Sequence, residues 1–171
     1  MTVRPERPGD VAAIRRVNEA AFGRASEADL VDALRAHGRV SRSLVAERAG
    51  VIVGHILFSP VRIDSGRTST AAIGLAPMAV LPAHQRAGVG SLLVRTGLAE
   101  CGRAGHGSVV VLGHPEYYPR FGFRPAKEWA IGCEYDAPAE AFMALELQPG
   151  YLRGKAGTIR YHAAFREVET G

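Results

Sequence analysis

The segment Val80-Leu-Pro-Ala-His-Gln85-Arg86-Ala87-Gly88-Val89-Gly90-Ser91 ties an apolar strand pattern to a helical one through a glycine-rich turn. No other stretch restricts the fold as much. Leu92 to Ala99 continues in helix-forming residues, and the next proline is Pro115. A helix that starts here leaves its first backbone N–H groups without intrahelical acceptors, and its dipole adds partial positive charge at that end. Such an end holds a phosphate without a metal or a lysine. A tight turn that merely needs small residues gives the same Gly-x-Gly, so the motif alone leaves both readings open. It is not a Walker loop, because no Gly-Lys-Ser/Thr follows, and Leu93 stands where a dinucleotide fingerprint needs its third glycine.

Composition sets the frame around this turn. The chain has 171 residues, 47% hydrophobic and 22% charged, which predicts one domain over 1–171 with its own core. The net charge of +4 is mild, and the arginines are scattered, so no basic run points to nucleic acid. No apolar run is long enough to span a bilayer. Arg4, Glu6, Arg7 and Asp10, with no apolar stretch behind them, do not fit a secretory signal. Cys101 and Cys133 match no metal or redox spacing, so a reducing cytoplasm is the expected location and no metal is expected.

Periodicity predicts the elements. Thr2 to Arg4 reads as a short strand, and Pro8-Gly-Asp10 as a helix entry with Asp10 as N-cap. Val11, Ile14, Val17, Ala21 and Phe22 follow at helical spacing. Ser26-Glu-Ala-Asp29 reads as a capping box for a second helix, which Gly38 stops. Ser43–Arg48 and Val51–Phe58 form a hairpin across Ala49-Gly50, and a third long strand runs from Ala71 to Val80. Pro77 inside that strand cannot donate to a ladder and marks a bulge, an edge or a failure of pairing. After the helix of about Gly90 to Arg103, Ser108–Leu112 reads as a buried strand, Gly113–Phe123 as a turn, and Ala141–Leu147 and Thr158–Phe165 as strands. The order predicts a mixed α/β sheet with helices on its faces.

Gln85-x-x-Gly88-x-Gly90 after Val80-x-Pro82 resembles the pyrophosphate loop of the GCN5-related N-acetyltransferases. The resemblance implies a mainly antiparallel central sheet splayed between its fourth and fifth strands, with acetyl-coenzyme A as co-substrate. It places the loop opened by Gln85 at the diphosphate, held by the N–H groups of Arg86, Ala87, Gly88, Val89, Gly90 and Ser91. It places the backbone of Met78, Ala79 and Val80 along the pantetheine arm, just past the break that Pro77 provides. Tyr118-Pro-Arg-Phe-Gly122-Phe123 resembles the family's Tyr-x-x-x-Gly-Phe element, whose tyrosine protonates the departing thiolate. A phenol of ordinary pKa ~10 is protonated at neutral pH and suits that role. The same residues with Tyr117 also read as a plain aromatic core cluster. The form Gly-x-Pro-x-Tyr-Tyr-x-Arg-Phe-Gly-Phe is similar to one bacterial subgroup of predicted N-acetyltransferases, and the likeness extends over nearly the whole chain.

The general base is harder to place. The strand over Ile73 to Val80 holds no Asp or Glu, where many relatives carry a carboxylate. Glu47, His55, His84 and His114 remain as candidates, with His114 best placed, directly after the fifth strand and four residues before Tyr118. His55 also reads as a hydrogen-bonded core residue. A water chain, or an amine of low pKa, removes the need for a base. The expected activity is acetyl transfer to a primary amine on a small molecule or peptide, by direct attack. An acyl-coenzyme A sensor without catalysis, or another nucleotide-binding protein, are the competing readings. The family's habit of pairing through sheet edges makes a homodimer an expectation, and no membrane or nucleic-acid partner is expected.

Overall fold

The strand, turn and helix around Gly88 form as the sequence predicts. In the computed structural model, which describes residues 1–169, the strands are β1 (Thr2–Pro5), β2 (Arg42–Arg48), β3 (Val51–Asp64), β4 (Ser69–Val80), β5 (Ser108–Leu112), β6 (Arg124–Pro125), β7 (Ile131–Cys133), β8 (Phe142–Glu146) and β9 (Gly157–Arg160). The helices are α1 (Val11–Phe22), α2 (Ser26–Ala36), α3 (Val89–Arg103) and α4 (Arg166–Glu169). The fold is mixed α/β, with a mostly antiparallel sheet flanked by helices. The chain divides into two units. One holds Met1–Ser59, Ala76–Gly97 and the segment from Ala163 on, and the other holds Pro60–Leu75 and Leu98–His162. Among the described residues no helix is long and apolar enough to cross a membrane.

In the first unit β1, β2 and the first part of β3 pair antiparallel. Ala49 and Gly50 join β2 to β3 with φ of 50° and 77°, the doubly left-handed turn that matches strand twist. Ile14 and Val17 of α1 and Leu30, Val31 and Leu34 of α2 are buried, as the helical spacing predicts. α3 sits against β3 at two glycines. A Cβ on Gly97 would lie 2.3 Å from Cε2 of Phe58, and a Cβ on Gly54 would lie 3.0 Å from both Leu93 and Val89. The Phe58 ring therefore occupies the place of a missing side chain, and any residue larger than glycine at 97 must displace ring or helix.

Asp10 stands at the N-cap of α1 as predicted, but its side chain makes no capping hydrogen bond there. Its carboxylate accepts the Arg7 N–H at 2.7 Å and the Arg4 guanidinium at 2.7 and 3.2 Å, closing a 3₁₀ turn over Pro8–Asp10. Arg4 holds that carboxyl below its ordinary pKa. Ser26 is already helical and Ala25 occupies the cap, its carbonyl accepting the Asp29 N–H at 2.8 Å. The acids of the expected capping box are taken by arginines instead, Glu27 by Arg24 and Asp29 by Arg15. Gly38 does end α2, with φ 65° and the Arg39 N–H reaching back to Leu34 O at 2.8 Å.

In the second unit β4 and β5 run parallel, and their ladder consists of Ile73↔Val109 and Gly74↔Val110. It stops there although β4 continues to Val80, past Pro77, which has no N–H to offer. β5 pairs with β8 and β8 with β6, while the end of β3 pairs with β9 and β9 with a parallel β7. Val61, Ile63, Val110, Ile131, Phe142, Leu152 and Ile159 form the core between them. The predicted strand over Thr158–Phe165 ends at Arg160, because the Tyr161 N–H turns to the Glu134 carboxylate and the chain then enters a 3₁₀ turn at Ala163–Phe165.

His55 is fully buried in β3 and linked on both sides. Asn18 Nδ2 donates to Ile14 O at 3.0 Å and to His55 Nδ1 at 3.1 Å, so Nδ1 accepts, and the ring's Nε2–H faces Ser43 Oγ at 2.9 Å. Burial first, and the Arg35 charge second, push the His55 pKa down to about 3. Above pH ~6.5 neither folded nor unfolded chain protonates it, whereas below that the unfolded chain takes up a proton that the folded chain refuses. Stability from this group is thus present above pH ~6.5 and lost as pH falls toward the folded value. Urea unfolding at pH 7 and at pH 5.5 should show a loss of about 1 kcal/mol that His55→Gln lacks. Equal losses in the two proteins would contradict this assignment.

Candidate active site

In the first unit the end of β4 runs into a 3₁₀ turn at Pro82–His84, then the Gln85–Gly88 turn, then α3. The Leu81 N–H donates to Val53 O at 2.9 Å, which fixes the strand end to β3. Gln85 Nε2 donates to Val80 O at 3.0 Å and ties the turn back to that same strand end. Arg86 and Gly88 are left-handed, with φ of 59° and 85°, and they flank Ala87. Alternation of this kind turns successive N–H groups inward, as in anion-binding nests. The Gly88 carbonyl accepts the first helical bond, from Leu92 at 3.0 Å, so the Val89 and Gly90 amides lie ahead of the helical ladder. Gln85, Arg86, Ala87 and Gly88 are exposed while Val89 is buried, so the turn faces solvent and the helix behind it is anchored. A Cβ on Gly88 would meet nothing within 4 Å, which leaves open space ahead of the helix start. These features fit a diphosphate. Ala79 and Val80 are buried and Met78 is half-buried at the end of β4. Ser91 is the third residue of α3, within its first turn.

The second unit carries His114 and Tyr118. After β5 the chain passes Gly113 and forms a 3₁₀ turn at Tyr118–Phe121. The His114 carbonyl accepts the N–H groups of Tyr117 at 3.1 Å and Tyr118 at 3.4 Å, while the residue itself is exposed. Tyr118 is 7% exposed. Its ring meets Tyr117 at 5.1 Å, Phe123 at 5.7 Å and Phe121 at 6.3 Å. A Cβ on Gly113 would lie 2.4 Å from Tyr118 Cε2, so only glycine lets the ring lie there. Tyr118 is therefore part of the aromatic cluster. Burial raises the phenol pKa above its ordinary value and the Tyr117 hydroxyl adds to it, which keeps the proton in place.

Two of the other three base candidates are committed. Glu47 accepts from Arg4 Nε at 3.0 Å. His55 belongs to the core network. His84 is half-buried in the turn before the glycine loop. Sequence reasoning missed Gly113, whose need appears only against a ring five residues away. Arg120, which the tyrosine motif contains, is the third residue of the 3₁₀ turn.

Comparison with known proteins gives a consistent picture. The model of the Acetyltransferase (GNAT) domain matches residues 2–126. The uncharacterized N-acetyltransferase YjhQ of Escherichia coli (strain K12) is 40% identical over 153 residues, covering 85% of this chain and 84% of YjhQ. The crystal structure of the GNAT family N-acetyltransferase YhbS from Escherichia coli, in complex with CoA, has a TM-score of 0.91 at 32% identity, covering 96% of this chain and 91% of that one. A GNAT family acetyltransferase from Brucella melitensis, in complex with acetyl-CoA, has a TM-score of 0.80 at 41% identity, covering 96% and 97%.

Proposed function

The chain belongs to the GNAT acetyltransferase family, and we propose that, as such an N-acetyltransferase, it moves the acetyl group of acetyl-coenzyme A directly to a primary amine. The observation that carries this reading is the turn from Gln85 to Gly90, with its left-handed Arg86 and Gly88 and the open space before α3. The amides of Arg86 to Ser91 would hold the diphosphate, with Gln85 holding the turn in place from behind. The backbone of Met78, Ala79 and Val80 lies past the last β4–β5 pair and would line the pantetheine arm. The co-substrate brings an activated thioester carbonyl.

Tyr118 is the proton donor in this reading. The amine nitrogen forms a bond to the acetyl carbon, the carbon–sulfur bond breaks, and the sulfur gains a proton while the nitrogen loses one. A buried phenol keeps its proton until negative charge develops on sulfur, and then donates. His114 is the proposed partner for the proton leaving nitrogen. An acceptor that is already uncharged at neutral pH would not need it. Small-molecule and peptide amines both suit the chemistry.

Two variants test the two halves separately. Gly88→Glu puts a side chain on a left-handed residue and a negative charge at the helix start, so calorimetry should show coenzyme A binding lost with the fold retained. Survival of binding would displace the diphosphate from this turn. Tyr118→Phe should keep coenzyme A affinity and lower thiol release, followed with a panel of amines, by at least about tenfold. An undiminished rate would remove Tyr118 from the reaction.

A further inference from the structure

We propose that Arg120 is a positioning residue for Tyr118, locking the Tyr117 ring that forms one wall of the phenol's site. The proposal rests on the reading of Tyr118 as proton donor. No hydrogen bond holds the Tyr118 hydroxyl among the described residues, so the direction of the O–H is set by how its ring is packed. Three neighbours confine that ring from the protein side: Gly113, Phe121 and Phe123. The remaining wall is Tyr117, half-buried, edge-on to Tyr118 at 87°.

Arg120 grips Tyr117 twice. Its Nε donates to the Tyr117 carbonyl at 2.9 Å, and its guanidinium carbon lies 4.5 Å from the centroid of the Tyr117 ring. Tyr117 directly precedes the 3₁₀ turn and Arg120 is the turn's third residue, so the Arg120 side chain reaches back over it. The planar cation lies against the ring's electron-rich face. Arg4, Arg15 and Arg35 each hold carboxylates. Arg120 holds none among the described residues, and its charge is spent on an aromatic ring that touches the proposed acid. Arg120 is exposed, so its contribution to the core is small and its loss leaves the fold standing.

The test uses the full chain, acetyl-coenzyme A and hydroxylamine, a nucleophile that is uncharged at neutral pH and needs neither acceptor recognition nor a base. Thiol release above the uncatalysed background is measured for the wild type, Arg120→Met, Arg120→Lys, Tyr118→Phe and the Arg120→Met/Tyr118→Phe double variant. Arg120→Met should lower kcat about fivefold and leave KM for acetyl-coenzyme A within about twofold. Arg120→Lys should recover most of the loss, since an ammonium also sits on a ring face. In the Tyr118→Phe background Arg120→Met should cost nothing more. A further equal loss in that background, or a raised KM with kcat intact, overturns the proposal by placing Arg120 at another task. An unchanged kcat in Arg120→Met beside a lowered one in Tyr118→Phe overturns the role of Arg120 and leaves that of Tyr118 standing. Full activity in Tyr118→Phe overturns both.

Discussion

The contact between Gly97 of α3 and the Phe58 ring of β3 is the constraint on which the glycine turn before α3 depends. It brings the helix axis close to the strand, and Gly54 repeats the accommodation one turn from the helix start, under Val89 and Leu93. With α3 held at both places, its N-terminus has a fixed position relative to β3. The Val53 carbonyl, one residue before Gly54, takes the Leu81 N–H and fixes the end of β4 to that same strand. Gln85 then closes the loop by donating to Val80 O. The glycine turn is thus held from helix and strand alike, while its own amides stay outside any ladder. Preorganisation of this kind is what an anion site needs, because donors that already point at the ligand cost no ordering on binding.

The surroundings of Tyr118 in the second unit obey a different physics. Tyr118 is held by close packing, in a box closed by Phe121, Phe123, Tyr117 and the bare backbone of Gly113. Burial makes the phenol a weaker acid than it is in water. A phenol held in this way stays protonated at rest, as the proposed donor role requires. The aromatic core reading holds for Tyr118, and it is compatible with the proposed acid role, which the sequence presented as its alternative.

What the sequence made legible was local. The strand, turn and α3, the Ala49-Gly50 hairpin and the break near Pro77 each rest on residues adjacent in the chain, where turn chemistry and periodicity act directly. The failures came from partners distant in sequence. Asp10 does stand at the N-cap of α1 and Asp29 in the first turn of α2, but Arg4 and Arg15 claim the carboxylates expected to cap. β6 and β7 are two and three residues long, too short to show a period, and exist only because β8 and β9 pair with them. Gln85 was legible as part of a ligand loop, but its bond to Val80 O was not. The grip of Arg120 on Tyr117 depends on the 3₁₀ turn that directly follows Tyr117, and nothing in the sequence distinguishes that from an α-helical turn. His55 was open to both a core and a catalytic reading, and only the positions of Asn18 and Ser43 decide for the core.

As proposed, the turn before α3 seats the diphosphate and supplies most of the hold on the co-substrate. Calorimetric titration of the full chain with coenzyme A, and in parallel with pantetheine, tests it most directly. Pantetheine keeps the thiol arm and lacks the diphosphate and the nucleotide. The structure predicts that coenzyme A binds and that pantetheine binds at least about a hundredfold more weakly, because charge-assisted bonds to the phosphates are lost. Equal affinity for the two would contradict it, and would move the hold on the ligand from the helix start to the pantetheine arm along β4.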